Sequence, residues 1–389
     1  MSEPHVAEAI ALMAGFAERS GLSATVPVRR YLWTDAFAVC NFLGLARVTG
    51  EARWTDLALR LIDQVHHTLG RHREDDRRGG WLSGLADDEA EAHPTRGGLR
   101  IGKPLSEPAA GEAYDEQLEW NRDGQYFHYL TKWMHALDQA GRATQRPAFN
   151  LWARELAETA QRAFAGPSFN GTPGMYWKMS IDLTRPLVPA MGQHDPLDGY
   201  ITCLELRSAA SRMPNAANAP DLETQTKEFA AMLRHGQWAT TDPLGIGGLL
   251  SDAFRLAQLM RQGAPADPRL LEALLASAFA GLWHFAQSGP AGPAEYRLAF
   301  RELGLAIGLH ALGRMHEMVE SGMSIFTAES RSLLASLLEQ AWIGEVIESF
   351  WLDPNHRHAS TWSEHLDINE VMLATSLVPE GFLVLLAEH

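Results

Sequence analysis

The stretch EWNRDGQYFHYLTKW, residues 119–133, has helical spacing, yet it carries Trp120, Asp123, Gln125, Tyr126 and His128 where a packed helix would take leucine. Carboxylates beside aromatic rings suit glycoside chemistry. One protonated acid gives its proton to a leaving oxygen, a second carboxylate activates water or attacks the sugar carbon, and flat rings stack on sugar faces. Asp123, set among aromatics, is the first candidate for the proton-bearing acid, since partial desolvation would keep it protonated near neutrality. The competing reading makes it a first-turn acid that complements the helix dipole and pairs with Arg122.

Three more groups carry chemistry of the same kind. In MGQHDPLDG, Asp195 before Pro196 reads as a helix cap as readily as a catalytic acid, while His194 beside it could exchange a proton. In TWSEHLDINE, Glu364 is the second carboxylate candidate and His365 a further proton carrier, although Thr361 and Glu364 also stand at capping-box spacing. The predicted substrate-binding positions are Trp33, Asp35, Trp120, Gln125, Tyr126, His128, Trp177, Lys178, Asp198, Tyr296, Arg297, Trp362 and Asp367. Arg30, Arg122, Lys178, Arg297 and Arg301 raise a second question: they either meet an anionic substituent or neutralise the carboxylates around them.

Several chemistries lack support. His194, Asp195, His365 and Asp367 show no metal-ligand spacing, so no metal is expected. No GxxxxGK[ST] or strand-led GxGxxG occurs, and no cofactor is expected. The 33 basic residues are scattered in a chain of net charge −15, which argues against nucleic acid as a partner. The first residues carry Glu3, His5 and Glu8 where a secretory signal would be basic and then apolar, GFLVLLAEH is too short to span a membrane, and the two cysteines form no framework. A soluble, cytoplasmic protein with a small saccharide as ligand is the expectation; the sequence does not speak to its oligomeric state.

The elements that must position these groups are helices. Twelve segments, from VAEAIALMAGFAERS to INEVMLATSLVPEGFLVLLA, repeat apolar residues at i, i+3, i+4 and i+7, and no run alternates as a strand would. Even-numbered segments such as GGLLSDAFRLA are apolar nearly all round, whereas odd-numbered ones such as NLWARELAETAQRAF keep a charged stripe. The long connections, 72–118, 166–194 and 350–362, each lead into an even-numbered segment. Six helical hairpins with inner helices wrapped by outer ones follow, as a single all-α domain spanning 1–389. The loop at 72–118, with Trp81 and His93, would form a wall or lid at the active face.

In this architecture, and in the polar, aromatic helix starts RYLWTDAF, EWNRDGQYFHYL, MGQHDPLDG and TWSEHLDINEVM, the chain resembles the six-hairpin, (α/α)6-barrel superfamily of glycosidases and sugar epimerases. The resemblance covers nearly the whole length. It implies an (α/α)6 toroid and a carbohydrate-active enzyme: a glycoside hydrolase first, with a cofactor-free 2-epimerase or isomerase working through histidines as the alternative. The epimerase pattern asks for a histidine at the eighth helix, where TTDPLGIGGLLSD has none. A helical protein that binds a partner without turning it over is the reading from another class.

Overall fold

A computed structural model describes residues 3–113, 115–167, 173–188, 190–212, 219–233 and 236–385. Among them are thirteen helices of ten or more residues: α1 (Glu3–Arg19), α2 (Leu32–Thr49), α3 (Ala52–Leu69), α4 (Phe127–Thr144), α5 (Pro147–Phe164), α6 (Asp195–Ala210), α7 (Glu223–Met232), α8 (Pro243–Arg261), α9 (Pro268–Ser288), α10 (Ala299–Glu320), α11 (Ala328–Leu338), α12 (Trp342–Leu352) and α13 (Leu366–Leu377). Each of the twelve periodic segments is helical. The eleventh is broken in two at 339–341, because a turn there keeps both halves on one buried stripe, Leu334 and Leu337 before it and Ile343, Ile347 and Trp351 after it. Periodicity does not register such a break. The last segment stops at Leu377, since Pro379 has no N–H to continue the ladder.

Five strands of two or three residues, absent from the sequence expectation, decorate the connections: β1 (Gln125–Tyr126), β2 (Ala165–Pro167), β3 (Pro173–Met175), β4 (Lys178–Met179) and β5 (Pro186–Val188). They form antiparallel sheets β1-β4-β5 and β2-β3. Two residues are too few to show alternation. No described helix is long and apolar enough to cross a membrane.

The contrast between inner and outer helices is visible residue by residue. In α4 every residue from Trp133 to Arg142 is buried, and in α10 every residue from Glu302 to Leu309. In α3 burial follows one stripe, Trp54, Ala58, Leu61, Ile62 and Val65. The chain divides into two compact units. One takes in Gln237–Leu386 with Met1–Phe16 and Gly44–Glu51; the other takes in Ala17–Leu43 and Ala52–Gly236.

Within the first unit α8 and α10 meet backbone to backbone. A Cβ on Gly247 would stand 2.0 Å from the Gly304 carbonyl oxygen, and one on Gly308 would stand 2.5 Å from that of Gly247. Neither oxygen can move without shifting a helix. Gly308→Ala is therefore expected to cost about 1–3 kcal/mol or more, read as a lower midpoint in denaturant unfolding. Gly313→Ala, where a methyl meets nothing within 4 Å, is the control and should not destabilise.

Candidate active site at the start of α4

In the second unit three connections meet. The one before α2 joins the one before α4 through Leu32 N–H to Ile101 O (3.0 Å), and Ile101 N–H reaches Gly124 O (2.8 Å). The connection before α6 joins them through the pairing of Gln125 with Met179 in β1 and β4. Asp123 is the peg of this junction. Its Oδ2 accepts from Arg100 Nη1 (2.5 Å) and Arg73 Nη1 (3.5 Å), and its Oδ1 from the backbone N–H groups of Gly102 (3.0 Å), Lys103 (3.3 Å) and Gly124 (3.1 Å). The side chain is wholly buried. Five donors and no acceptor face it, so both oxygens are engaged inside the protein and neither is turned to a substrate. The expectation of an aromatic pocket facing the substrate is corrected, and so is the pairing with Arg122, which binds Glu112 instead.

Other predicted binding residues are pegs of the same kind. Gln125 accepts from Leu99 N–H (2.8 Å) and donates to Gly97 O (3.1 Å) and Ile181 O (2.7 Å). Lys178, fully buried, gives its ammonium to Glu119 Oε1 (2.5 Å) and to Arg122 O (2.8 Å). Asp35 closes on Arg30 at 3.0 Å, and Trp33 packs on Phe37 with its ring centroid 4.4 Å away. These polar groups satisfy backbone and charge partners inside long, irregular connections, which have no ladder of their own to do so.

An aromatic cluster stands at the first turn of α4, with Tyr126 buried and His128, Tyr129 and Trp177 part-exposed. Tyr126 lies with its ring 5.2–5.3 Å from those of His128, Tyr129 and Trp177, and His128 stacks on Trp177 at 6.2 Å and 15°. The Tyr31 and Tyr129 hydroxyls are 2.7 Å apart. Tyr129 was not among the sequence candidates, though its place three residues after Tyr126 on a helical face is a usable signal.

Asp195 comes to this cluster from α6. It is the first residue of that helix rather than its cap, a position that falls to His194, whose side chain makes no cap hydrogen bond. Its Oδ1 is 3.9 Å from His128 Nδ1, beyond a hydrogen bond, and among the described residues neither Asp195 Oδ2 nor His128 Nδ1 has a partner although both are buried atoms. Burial first, and then repulsion from Asp198, push the Asp195 carboxyl up to about 7; Lys132 opposes them. Crowding by the protein, and then the Lys132 ammonium, hold His128 down to about 4, although 30% of its side chain reaches solvent. Asp198 is engaged, accepting from Thr131 Oγ1 (2.6 Å) and Lys132 Nζ (2.8 Å).

Trp120, in the same unit, is exposed with the Lys103 ammonium over its ring, and the other unit holds the remaining candidates. Trp362 is buried and stacks on Trp351 with ring centroids 5.4 Å apart, which leaves it no face for a ligand. Arg297 makes a fork with Glu302 at 2.7 and 2.9 Å and lies over the Phe350 ring, a structural clamp. Tyr296 is exposed, Glu364 and His365 are exposed at the entry to α13, and Asp367 is part-buried there. The expected capping box is absent: Thr361 donates its hydroxyl to Ala294 O (2.7 Å), and α13 begins after His365. Among the described residues no group of three or more His, Cys, Asp or Glu side chains could hold a metal ion.

No family model and no curated protein sequence matches this chain. Solved structures do. A GH76 α-mannanase of Bacteroides thetaiotaomicron is similar with a TM-score of 0.53 at 8% identity, over 96% of both chains. The cellobiose 2-epimerase of Spirochaeta thermophila is similar with a TM-score of 0.50 at 11% identity, over 97% of this chain and 98% of that one. The fold is therefore that of the six-hairpin (α/α)6 enzymes, as the helix starts had implied.

Proposed function

We propose that this protein is a carbohydrate-active enzyme that hydrolyses a glycosidic bond in a small saccharide, with Asp195 rather than Asp123 as its general acid. One observation carries the reading: a carboxyl held up to about 7, with an unpartnered oxygen, beside the Tyr126, His128 and Trp177 rings. An acid that stays protonated near neutrality can pass its proton to the leaving oxygen as the bond to the sugar carbon breaks, while water supplies the hydroxyl to that carbon and its remaining proton restores the acid for the next turnover. That two sugar enzymes share the fold supports the substrate class. On a panel of aryl glycosides, turnover is expected to fall as pH rises through about 7, because the proton to be donated is lost there. A flat profile between pH 6 and 8 would remove Asp195 from the role.

Epimerisation is the second reading, and His128 favours it. A neutral imidazole with a free Nδ1 next to a protonatable acid is a pair that could take a proton from the carbon beside a carbonyl and return it to the other face. Reducing sugars incubated in deuterated water distinguish the two. Deuterium gained at carbon with no bond cleaved would replace hydrolysis by epimerisation.

A further inference from the structure

We propose that the Lys103 ammonium, held between the Tyr31 and Trp120 rings, recognises the carboxylate of an acidic sugar. The inference rests on the saccharide reading and adds the substrate's charge. The five cations that sequence alone points to are all occupied: Arg30 by Asp35, Arg122 by Glu112, Lys178 by Glu119, Arg297 by Glu302 and Arg301 by Asp242. Lys103 differs. Its Nζ is 4.6 Å from the centre of the Trp120 ring and 5.3 Å from that of Tyr31, and among the described residues it makes no ion pair or hydrogen bond through that atom.

No carboxylate touches this ammonium, and its main chain is held in place. Its backbone is fixed on both sides, with the N–H on Asp123 Oδ1 and the carbonyl oxygen accepting from Arg73 Nη1 (2.8 Å), so little ordering is left for binding. Burial, and then the charge of Lys178, hold its amine down to about 8, while the Asp123 carboxylate pulls the other way without touching the ammonium. An entering anion supplies the missing charge, and a partly desolvated pair gains more than an exposed one. One positive charge matches the single charge of a sugar carboxylate. The Trp120 face, more than half exposed, and the adjoining Tyr31 and Tyr129 hydroxyls offer a platform and donors for the ring that carries it.

Calorimetric titration of the whole protein with methyl glucuronide and methyl glucoside tests this. The uronide is expected to bind about tenfold more tightly at pH 7, as one charge-assisted contact implies. The preference should vanish in Lys103→Met, return in Lys103→Arg, and weaken in the wild type as pH rises through about 8, where the ammonium loses its proton. Equal binding of the two sugars by the wild type, or a preference that survives in Lys103→Met or above pH 9, overturns the assignment and leaves the saccharide site standing. Failure of both sugars to bind removes the site together with it.

Discussion

Asp195→Asn is expected to abolish turnover and, at the same time, to raise the thermal midpoint at pH 8. The catalytic half follows from the proton: an amide cannot donate to a leaving oxygen, and loss of a general acid costs about 10²–10⁴-fold in rate. The stability half follows from burial. In the folded chain the Asp195 carboxyl is held up to about 7, while its ordinary value is 3.8, so between those pH values the folded state keeps a proton that the unfolded state has released. Stability from this group is thus present at low pH and is lost as pH rises toward about 7. Above that, the wild type carries the net cost of a buried charge with no ion-pair contact from a Lys or Arg, on the order of a few kcal/mol, and asparagine removes it. The advantage of the variant should shrink to nothing as pH falls toward 4. Unfolding curves at pH 5 and 8 read one half, and initial rates the other. A variant less stable than wild type at pH 8, or one that keeps its rate, would show that Asp195 is an ordinary helix-entry acid.

The opposite pair of outcomes is expected at Asp123. Asp123→Ala removes the shared acceptor of Arg73, Arg100 and three backbone N–H groups, at a wholly buried position. Breaking a buried ion pair from one side costs about 3–5 kcal/mol, because the guanidinium stays behind uncompensated. The midpoint in denaturant should fall accordingly, and the connection over 70–126 should become sensitive to proteolysis before the helices do. Arg100→Met should lose stability in the same direction. An Asp123→Ala protein that unfolds like the wild type but has lost its activity would return Asp123 to the catalytic role that its neighbours in sequence suggested.

Much of the architecture is legible in residue order, because helix burial leaves a periodic record. The apolar run of α8 against the striped α5, the Asp-Pro entries at Asp242 and Asp267 before α8 and α9, and the long connections leading into α4, α6 and α13 all stand in the chain as written. The candidate site is legible only as a neighbourhood. Tyr126, His128, Trp177, Asp195 and Asp198 do come together, but Asp123, Gln125, Lys178, Asp35 and Arg297, of the same residue types, turn out to hold loops in place.

Sequence by itself determined the helices, their inner and outer character, and the stretches in which polar and aromatic groups accumulate, since each depends on spacing within one segment. Tertiary structure alone decided which acids acquire cationic partners. The cationic partners of Asp123, Arg100 and Arg73, come from 23 and 50 residues away, and no local pattern encodes whether they arrive. Asp123 was met by two guanidinium groups and Asp195 by none, and that difference in company, not in residue type, separates a structural peg from the acid proposed as proton donor.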